Sequence, residues 1–470
     1  MNTKLLKQKI LDLAIRGKLT QQLKSDGTAK DLLKHISEQK RESSSTLSSP
    51  RRRGSPSAQS EKTIIPLDKN EAPFDIPANW EWVRLGDVFN MQAGKNIATG
   101  SIKSEFEDGL FPCYGGNGLR GYVSCYNREG DFPLIGRQGA LCGNVNRATG
   151  KFYATEHAVV VEVPANINVS CACHFLTQLN LNQYASSTAQ PGLSVAKINE
   201  VPIPLPPLAE QQRIVKKIQE AFAEIDSIEN NKELLKTHIK QARQKILDLA
   251  IHGKLVPQNK NDEPASVLLE RITRDNPHYE KLTDIPFEIP DSWQWVKLGD
   301  VCKPIKRGKS PKYIEQSNVL VFAQKCNQKD GPVSLEKALY LDESTLNKYP
   351  KEEFLQKGDV VINSTGTGTL GRIGYFNVDL PQNIKGIVPD SHVTTVRSFY
   401  VEPYYLYCFL KNKQTYLEEN GEGSTNQKEL KPHTIYDLEF PLPPLAEQKR
   451  IVDKIEEIFA SLDEISLHLV

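Results

Sequence analysis

The sequence PLPPLAEQQRIV at residues 204–215 returns almost unchanged as PLPPLAEQKRIV at residues 441–452. In both copies a pair of prolines precedes a long run in which apolar residues recur at helical spacing. Proline is tolerated in the first turn of a helix but not in its interior, so each copy marks the start of a helix. The same helix is therefore predicted to begin twice in this chain.

Two more segments are repeated in the same order, with one copy in each half of the sequence. They are ILDLAIRGKL at 10–19 with ILDLAIHGKL at 246–255, and IPANWEWVRLGDV at 76–88 with IPDSWQWVKLGDV at 289–301. Three ordered matches predict two copies of one unit related by pseudo-two-fold symmetry. The second copy stops about where the first begins, so the repeat is cyclic and the chain ends are expected to lie close together.

Heptad spacing of apolar residues predicts a coiled-coil interface. A helix over about 209–252 would be roughly 65 Å long, and the C-terminal helix, continued by the N-terminal one, carries the matching stripe. The pair is expected to run antiparallel, with glycines 17 and 253 ending the helices. The predicted interface residues are Ile214, Ile218, Ile225, Ile228, Leu235, Ile239, Ile246, Leu249, Ile451, Ile455, Ile458 and Leu462.

The remaining sequence predicts an α+β protein in which two mixed α/β domains are separated by these long helices. Between the repeated segments, short β-like runs such as HAVVVEV and DVVIN alternate with glycine-rich turns. The predicted segments are an N-terminal helix (1–25), a Ser/Arg-rich linker and lead-in (26–75), a first domain (76–206), the central helix (207–255), a connector (256–288), a second domain (289–443) and a C-terminal helix (444–470).

The composition is typical of an ordinary soluble protein, and the cysteine pattern is typical of the cytoplasm. Hydrophobic residues make up 39% and charged residues 25%, and the net charge is only +1, so bulk charge gives no argument for nucleic acid. No apolar run reaches the length of a membrane span, and the N-terminus does not have the pattern of a signal peptide. The eight cysteines form no C-x-x-C pair and are expected to be reduced and packed. CACH at 171–174 lacks a second ligand pair, so we predict no metal site.

No catalytic motif is present in the sequence. GTGTLG at 366–371 fits G-x-G-x-x-G, but RIGYF follows it and has the pattern of a strand, so no helix N-terminus would receive a pyrophosphate. Walker A, H-E-x-x-H and S-adenosylmethionine-loop motifs are absent. The residues alone predict a bivalent binding module and not an enzyme.

Both divergent domains contain polar residues that suit DNA recognition. Arg, Asn and Gln pair with guanine and adenine edges, and Lys and Arg contact phosphates. In the first domain the candidates lie around glycine-rich turns: Tyr114, Asn117, Arg120, Arg137, Gln138 and Gln190. In the second they lie in a basic loop, near strand ends and near the domain's end: Lys306, Arg307, Lys309, Gln324, Lys325, Asn363, Ser364, Thr365, Thr367, Arg372, Gln427 and Lys428.

The doubled PLPPLAEQ-x-R-I-V, ILDLAI-x-GKL and I-P-x-x-W-x-W-V-x-L-G-D-V segments resemble the specificity subunit of type I restriction–modification systems, over nearly the whole chain. The resemblance implies two target recognition domains, each reading half of a bipartite site in double-stranded DNA, and helices that set the spacer. It also implies a non-catalytic subunit that assembles with two modification (methyltransferase) and two restriction subunits. S-adenosylmethionine, ATP and Mg²⁺ are then expected on those partners, with no cofactor in this chain.

Two alternatives remain open from the sequence. The chain could be the DNA-reading subunit of a related bipartite system in which one partner polypeptide carries both restriction and modification activity. It could also be a non-enzymatic coiled-coil adaptor for ligands other than DNA, which would not need convergent Arg, Asn and Gln loops.

Overall fold

The computed structural model describes residues 2–45, 64–68, 71–139, 141–186, 191–275, 279, 282, 285–329, 331–366, 368–423 and 428–469. The chain divides into two compact units, Met1–Asn231 and Lys232–Val470, and the division falls inside one long helix. No helix of the described residues is both long and apolar enough to cross a membrane.

Among its described residues the first unit contains five short α-helices, eight strands and the first half of the long helix α6. In chain order the elements are α1 (Thr3–Ile15), α2 (Ala29–Ser45), β1 (Glu81–Arg84), α3 (Leu85–Val88), β2 (Asn90–Ala93), β3 (Phe111–Gly115), β4 (Gly118–Val123), β5 (Arg128–Gly136), β6 (Val145–Ala154), β7 (Ala158–Glu162), α4 (Val169–Gln178), α5 (Val195–Asn199), β8 (Pro202–Leu205) and α6 (Leu208–Ile251).

Strands β2-β7-β5-β6-β3-β4 form one six-stranded sheet, and β1 pairs with β8. The apolar run of β7 and the apolar end of β5 occupy the sheet's centre, where Val159, Val160 and Ile135 are fully buried. Strand β6 is ten residues long, so it pairs with β5 along one edge and with β3 along the other. This long strand joins the two parts of the sheet.

The second unit continues from α6 with elements that follow the same order. They are α7 (Ala265–Asp275), β9 (Gln294–Lys297), α8 (Leu298–Val301), β10 (Cys302–Arg307), β11 (Tyr313–Ile314), β12 (Val319–Phe322), β13 (Leu339–Leu341), β14 (Asp359–Asn363), β15 (Ile373–Phe376), β16 (Gly386–Pro389), β17 (Val393–Ser398), α9 (Pro403–Asn412), α10 (Gln414–Glu419), α11 (Pro432–Tyr436), β18 (Glu439–Leu442) and α12 (Leu445–Leu467).

Its strands form two four-stranded sheets, β10-β17-β14-β15 and β11-β13-β12-β16, and β9 pairs with β18. Strand β15 pairs with β14 as β6 pairs with β5, and β16 runs parallel to β12 as the end of β6 runs parallel to β3. The role of one long strand in the first unit is thus divided between two short strands in the second.

The repeated PLPPLAEQ segments build the same buried junction in both units. Glu210, at the start of α6, accepts hydrogen bonds from the Trp80 indole N–H (2.7 Å) and the Gln22 amide (2.7 Å). The neighbouring Gln211 donates to the carbonyl of Pro206 (2.9 Å) and accepts from the backbone N–H of Asn168 (2.9 Å). Two adjacent helix residues therefore connect the long helix to the repeated tryptophan and to the domain helix α4.

In the second unit Glu447 accepts from the Trp293 indole N–H (2.9 Å) and from Gln258 (2.5 Å). Gln448 donates to the carbonyl of Pro443 (2.9 Å) and accepts from the N–H of residue 402, before α9 (2.8 Å). The repeated tryptophan, glutamate and glutamine thus form one hydrogen-bonded cluster in each copy. This cluster explains why these residues return together with the prolines.

The repeated glycines end α1 and α6 with a close approach to the next repeated segment. Gly17 and Gly253 have φ of +66° and +67°, and a Cβ on either would collide with the ring of Pro77 or Pro290. Since both constraints favour glycine, the GKL and IP segments recur together.

Helix α1 runs antiparallel to the first half of α6. Thr3, at the start of α1, contacts Glu229, and one turn later Lys7 forms an ion pair with Asp226 (2.5 Å). In the second unit, Glu447 at the start of α12 is bonded beyond the end of α6, whereas Asp463 near its end pairs with Arg243 (2.5 Å). Helix α12 therefore also runs antiparallel to the part of α6 in its own unit.

The predicted coiled-coil residues are buried to different extents. Six are buried and four are half-buried, whereas Ile228 and Leu235 are 42% and 38% exposed. The prediction of a continuous buried stripe along α6 is therefore wrong at Ile228 and Leu235. Ile228 precedes Glu229, which contacts Thr3 at the start of α1. Helix α12 ends at Leu467, only four residues past the partner of Arg243, so no described turn of α12 faces Leu235. The buried set is Ile214, Ile218, Ile225, Ile239, Ile451 and Ile455, and the half-buried set is Ile246, Leu249, Ile458 and Leu462.

Most predicted elements are confirmed, including the long helix, the strand after GTGTLG and the strands at HAVVVEV and DVVIN. The predictions of a linker at 26–75 and a connector at 256–288 are incomplete, because these segments contain helices α2 and α7. Both helices pack through amphipathic faces, and their first amides donate to the loop before the tryptophan in each copy, at Asn79 and Ser292 (2.9 Å each).

Candidate nucleic-acid interface

A cavity of about 590 Å³ lies in the first unit where four loops meet. Its walls are the β3–β4 turn, the loop after β5, the turn before β7 and the chain at residues 191–192. Glycines form much of the lining, and the polar side chains in it are Asn117, Arg120, Gln138 and His157. The structure therefore brings three of the six predicted side chains of this domain to one place.

The other predicted residues of this domain have different positions. Tyr114 is half-buried at the end of β3, where its ring packs edge-on against Phe152 (5.8 Å between centroids) and burial raises the pKa of its hydroxyl. Arg137 is half-buried beside the cavity, and its guanidinium reaches the carbonyl of residue 156 (3.5 Å). Both support the loops around the cavity. Gln190 lies outside the described residues.

The turn before β7 presents polar atoms that the described residues do not satisfy. Thr155 Oγ1, Glu156 Oε2 and His157 Nδ1 in this turn, and Arg137 Nε in the loop after β5, are buried and have no hydrogen-bond partner among the described residues. A buried polar atom without a partner costs about 1–3 kcal/mol. His157 lines the cavity, so a polar ligand or water that reaches its Nδ1 would remove part of this cost.

The three residues of the predicted basic loop in the second domain are paired with acids. Lys306 and Lys309 both contact Glu353, the latter at 2.6 Å, and Arg307 pairs with Glu429. Their positive charge is therefore offset locally. A phosphate would have to replace a carboxylate at these sites.

Asn363 and Ser364, which were predicted to contact DNA, are buried beneath the glycine-rich loop. Asn363 is fully buried and accepts from the Asn327 side chain (3.2 Å). Ser364 is also fully buried and shares a hydrogen bond with Thr394 (2.5 Å). Direct DNA contact is therefore not available to either side chain in this structure. Their polarity serves the packing of the loop against β17.

The remaining predicted residues of this loop are at or near the surface. Thr365 bonds to His392 Nδ1 (2.7 Å), and Arg372 donates to the carbonyls of residues 327 (3.0 Å) and 368 (3.3 Å). The Gln324 side chain accepts from residue 369 (3.2 Å), whereas Lys325 and Lys428 are exposed. Thr367 and Gln427 lie outside the described residues.

The two divergent domains share a backbone frame that the sequence analysis missed. In the first unit the N–H of Arg137, after β5, donates to the carbonyl of His157, before β7 (3.0 Å). In the second unit the N–H of Ser364, after β14, donates to the carbonyl of His392, before β17 (2.8 Å). The two histidines and the two loops are therefore structurally equivalent.

The next residue of each loop is also equivalent. Gln138 forms an isolated β-bridge with Gly192, and Thr365 forms one with Glu429. The weak signal that could have revealed this frame is a histidine directly before a β-branched run, HAVVVEV at 157–163 and HVTTVRS at 392–398. Both loops therefore present different side chains from one backbone arrangement.

The chain was compared with known proteins. The model of the type I restriction modification DNA specificity domain matches residues 77–237 and 290–467. The EcoprrI specificity subunit of Escherichia coli is 52% identical over 128 residues, 27% of this chain and 32% of its own length. The EcoEI specificity subunit of Escherichia coli is 23% identical over 99% of this chain and 90% of its own length.

Two solved structures share the fold. The HsdS subunit from Thermoanaerobacter tengcongensis superposes with a TM-score of 0.52 at 18% identity, over 85% of this chain and 94% of that one. A chain from a study of complex assembly and conformational transition of the type I R-M system gives 0.54 at 19% identity, over 84% and 94%. Since the family's domain matches both halves and more than half of the chain, this protein belongs to the type I restriction modification DNA specificity family.

Proposed function

We propose that this chain is the DNA-recognition subunit of a type I restriction–modification complex. Each divergent domain reads one half of a bipartite site in double-stranded DNA, and the long helices set the spacing between the halves. The chain carries out no chemistry itself. Its curated relatives are named specificity subunits, which supports a recognition role.

The observation that carries the proposal is the pair of equivalent loops with different side chains. Gln138 and Thr365 occupy the same place in the shared frame. Gln138 lines the same cavity as Arg120, and Thr365 forms a β-bridge with Glu429, the ion-pair partner of Arg307. Amide, hydroxyl and guanidinium groups are the ones that distinguish base edges. One frame with two side-chain sets is suited to reading two different half-sites.

Partners and cofactors belong to the same proposal. Two modification subunits and two restriction subunits would assemble on the repeated helices, in the cytoplasm. S-adenosylmethionine, ATP and Mg²⁺ would be bound by those partners. The described residues of this chain contain no group of three or more His, Cys, Asp or Glu side chains that could hold a metal ion.

The test is methylation mapping by single-molecule sequencing in a host that expresses this chain with its modification subunit. We expect a methylated bipartite motif that is absent when the modification subunit is expressed alone. If the two proteins co-purify and no motif appears, the DNA-reading function is wrong and the adaptor function takes its place. A co-purifying partner that both cleaves and methylates DNA in one polypeptide would identify the related bipartite system.

A further inference from the structure

We propose that Lys95 and Lys309 are equivalent contacts to DNA phosphates, and that Gln138 and Thr365 beside them read bases. This inference rests on the proposed DNA-reading function and divides the shared frame into two roles. Phosphates are the same in every half-site, whereas bases differ. A side chain kept in both domains therefore suits phosphate contact, and a position that differs suits base reading.

The two lysines occupy the same place in the frame. Each follows a glycine at the end of an edge strand, β2 in the first unit and β10 in the second. The N–H of Gly94 donates to the carbonyl of residue 158 (2.9 Å), and that of Gly308 donates to the carbonyl of residue 393 (2.9 Å). These two acceptors each directly follow one of the equivalent histidines. The sequences AGKN at 93–96 and RGKS at 307–310 therefore correspond.

Steric crowding maintains both glycines. A Cβ on Gly94 would collide with the carbonyls of Ala154 and Thr155, and one on Gly308 would collide with those of residues 389 and 390. The backbone at these two points therefore lies directly against the turn that carries the histidine. The next residue is held by the same turn: the N–H of Lys95 donates to the carbonyl of Ala154 (3.0 Å), and Lys309 forms a β-bridge with residue 390.

The turn that binds the lysine segment also binds the variable loop. In the first unit this turn accepts from residue 137, directly before Gln138, and in the second from residue 364, directly before Thr365. The backbone of the lysine segment and the backbone of the variable loop thus both hydrogen-bond to one short turn. Equivalent backbone bonds connect the two positions to this turn in both domains.

The surroundings of the lysines allow phosphate binding. Lys95 is exposed, and the described residues place no carboxylate in an ion pair with it. Lys309 is 37% exposed and pairs with Glu353 (2.6 Å), a side chain that is 12% exposed and also pairs with Lys306, so Glu353 keeps one cation when Lys309 contacts a phosphate. Flanking positions differ between the domains, with Ala93 where the second unit has Arg307. The lysine is therefore the one cation that both copies keep here.

The test uses the full chain assembled with its modification subunits, bound to a labelled duplex that carries the methylated motif. Affinity is measured over about 50 to 200 mM KCl for wild type, Lys95→Ala and Lys309→Ala. Loss of one phosphate contact lowers the salt slope by about 0.9, so this salt increase should weaken each variant about 3.5-fold less than wild type. The methylated motif should stay unchanged, and Lys95→Arg should restore the slope.

Lys34→Ala is the matched control, because it removes one exposed lysine on α2. Gln138→Ala and Thr365→Val should keep the wild-type slope and relax preference at base pairs in one half-site each. Lysine variants with the wild-type slope, or with an altered motif, would overturn the inference. Wild type without any sequence preference would overturn the proposed function and this inference with it, whereas a specific wild type with unchanged lysine slopes overturns only the inference.

Discussion

The repeated tryptophan–glutamate bond should contribute measurably to the stability of the second unit, and Trp293→Phe tests it. The indole N–H of Trp293 donates to Glu447 (2.9 Å), a side chain that is only 1% exposed. A hydrogen bond to a charged group contributes about 1.5–3 kcal/mol. Phenylalanine keeps an aromatic ring in place and removes this donor. We expect a loss of about 2 kcal/mol in addition to the lost packing of the larger ring.

Trp295→Phe is the matched control because it changes a neighbouring buried indole. Trp295 is 9% exposed, and its N–H has no hydrogen-bond partner among the described residues. The control therefore loses similar ring area without losing a hydrogen bond. Urea unfolding, with peptide-resolved hydrogen exchange to assign the transition to this unit, measures both variants. If Trp293→Phe is no more destabilising than Trp295→Phe, the indole–carboxylate bond does not stabilise the junction.

The same variant should have a characteristic pH dependence. Burial raises the pKa of the Glu447 carboxyl above its ordinary value of 4.5, against the opposing effect of its hydrogen bonds. Because the folded pKa is raised, stability from this group is lost as pH rises through that pKa. Removing the Trp293 donor raises the folded pKa further. The loss of unfolding free energy caused by Trp293→Phe should therefore be largest above the folded pKa of Glu447. This loss should become smaller as the pH falls towards 4.5, and Glu447→Gln should abolish the pH dependence.

Four further changes have defined outcomes. Ile225→Asp places a charge where the side chain is 3% exposed and should prevent assembly or cost more than about 3 kcal/mol, whereas Ile228→Asp at a 42% exposed position should cost less than about 1 kcal/mol by thermal unfolding. Asp359→Ala leaves Arg397 without its bidentate partner (2.7 Å to each oxygen) and should destabilise the second unit by about 3–5 kcal/mol in urea unfolding. Exchanging residues 76–206 for the domain of another family member should alter one half of the methylated motif, and alteration of both halves would contradict independent readers.

The long helices could be predicted because their signals are local. Heptad spacing, paired prolines and terminal glycines lie within a few residues of the features they determine. The junction at Glu210 could not be predicted in the same way, because its donor Trp80 is 130 residues away. The repeat showed that these residues belong together, but nothing in the spacing showed which atoms meet.

Only part of the candidate site could be predicted, because some of its features also depend on residues far apart in the sequence. Glycine-rich turns correctly indicated where loops carry polar side chains, as at Asn117 and Gln138. Whether a polar side chain in such a loop faces solvent depends on a partner far along the chain. Ser364 is buried because it meets Thr394, which lies thirty residues later on β17. The sequence pattern alone does not distinguish it from its half-buried neighbour Thr365.

The shared frame explains how two domains of one chain can differ in sequence and keep one arrangement of loops. Every bond that defines the frame is between backbone groups, from the bridge at Gln138 to its equivalent at Thr365. Backbone bonds tolerate almost any side chain, so residues at these loop positions can change without loss of the fold. Glycines 94 and 308 are exceptions, because a Cβ there would collide with the turn. Recognition can therefore diverge at the loop surface, whereas the two glycines are held by their close approach to the turn.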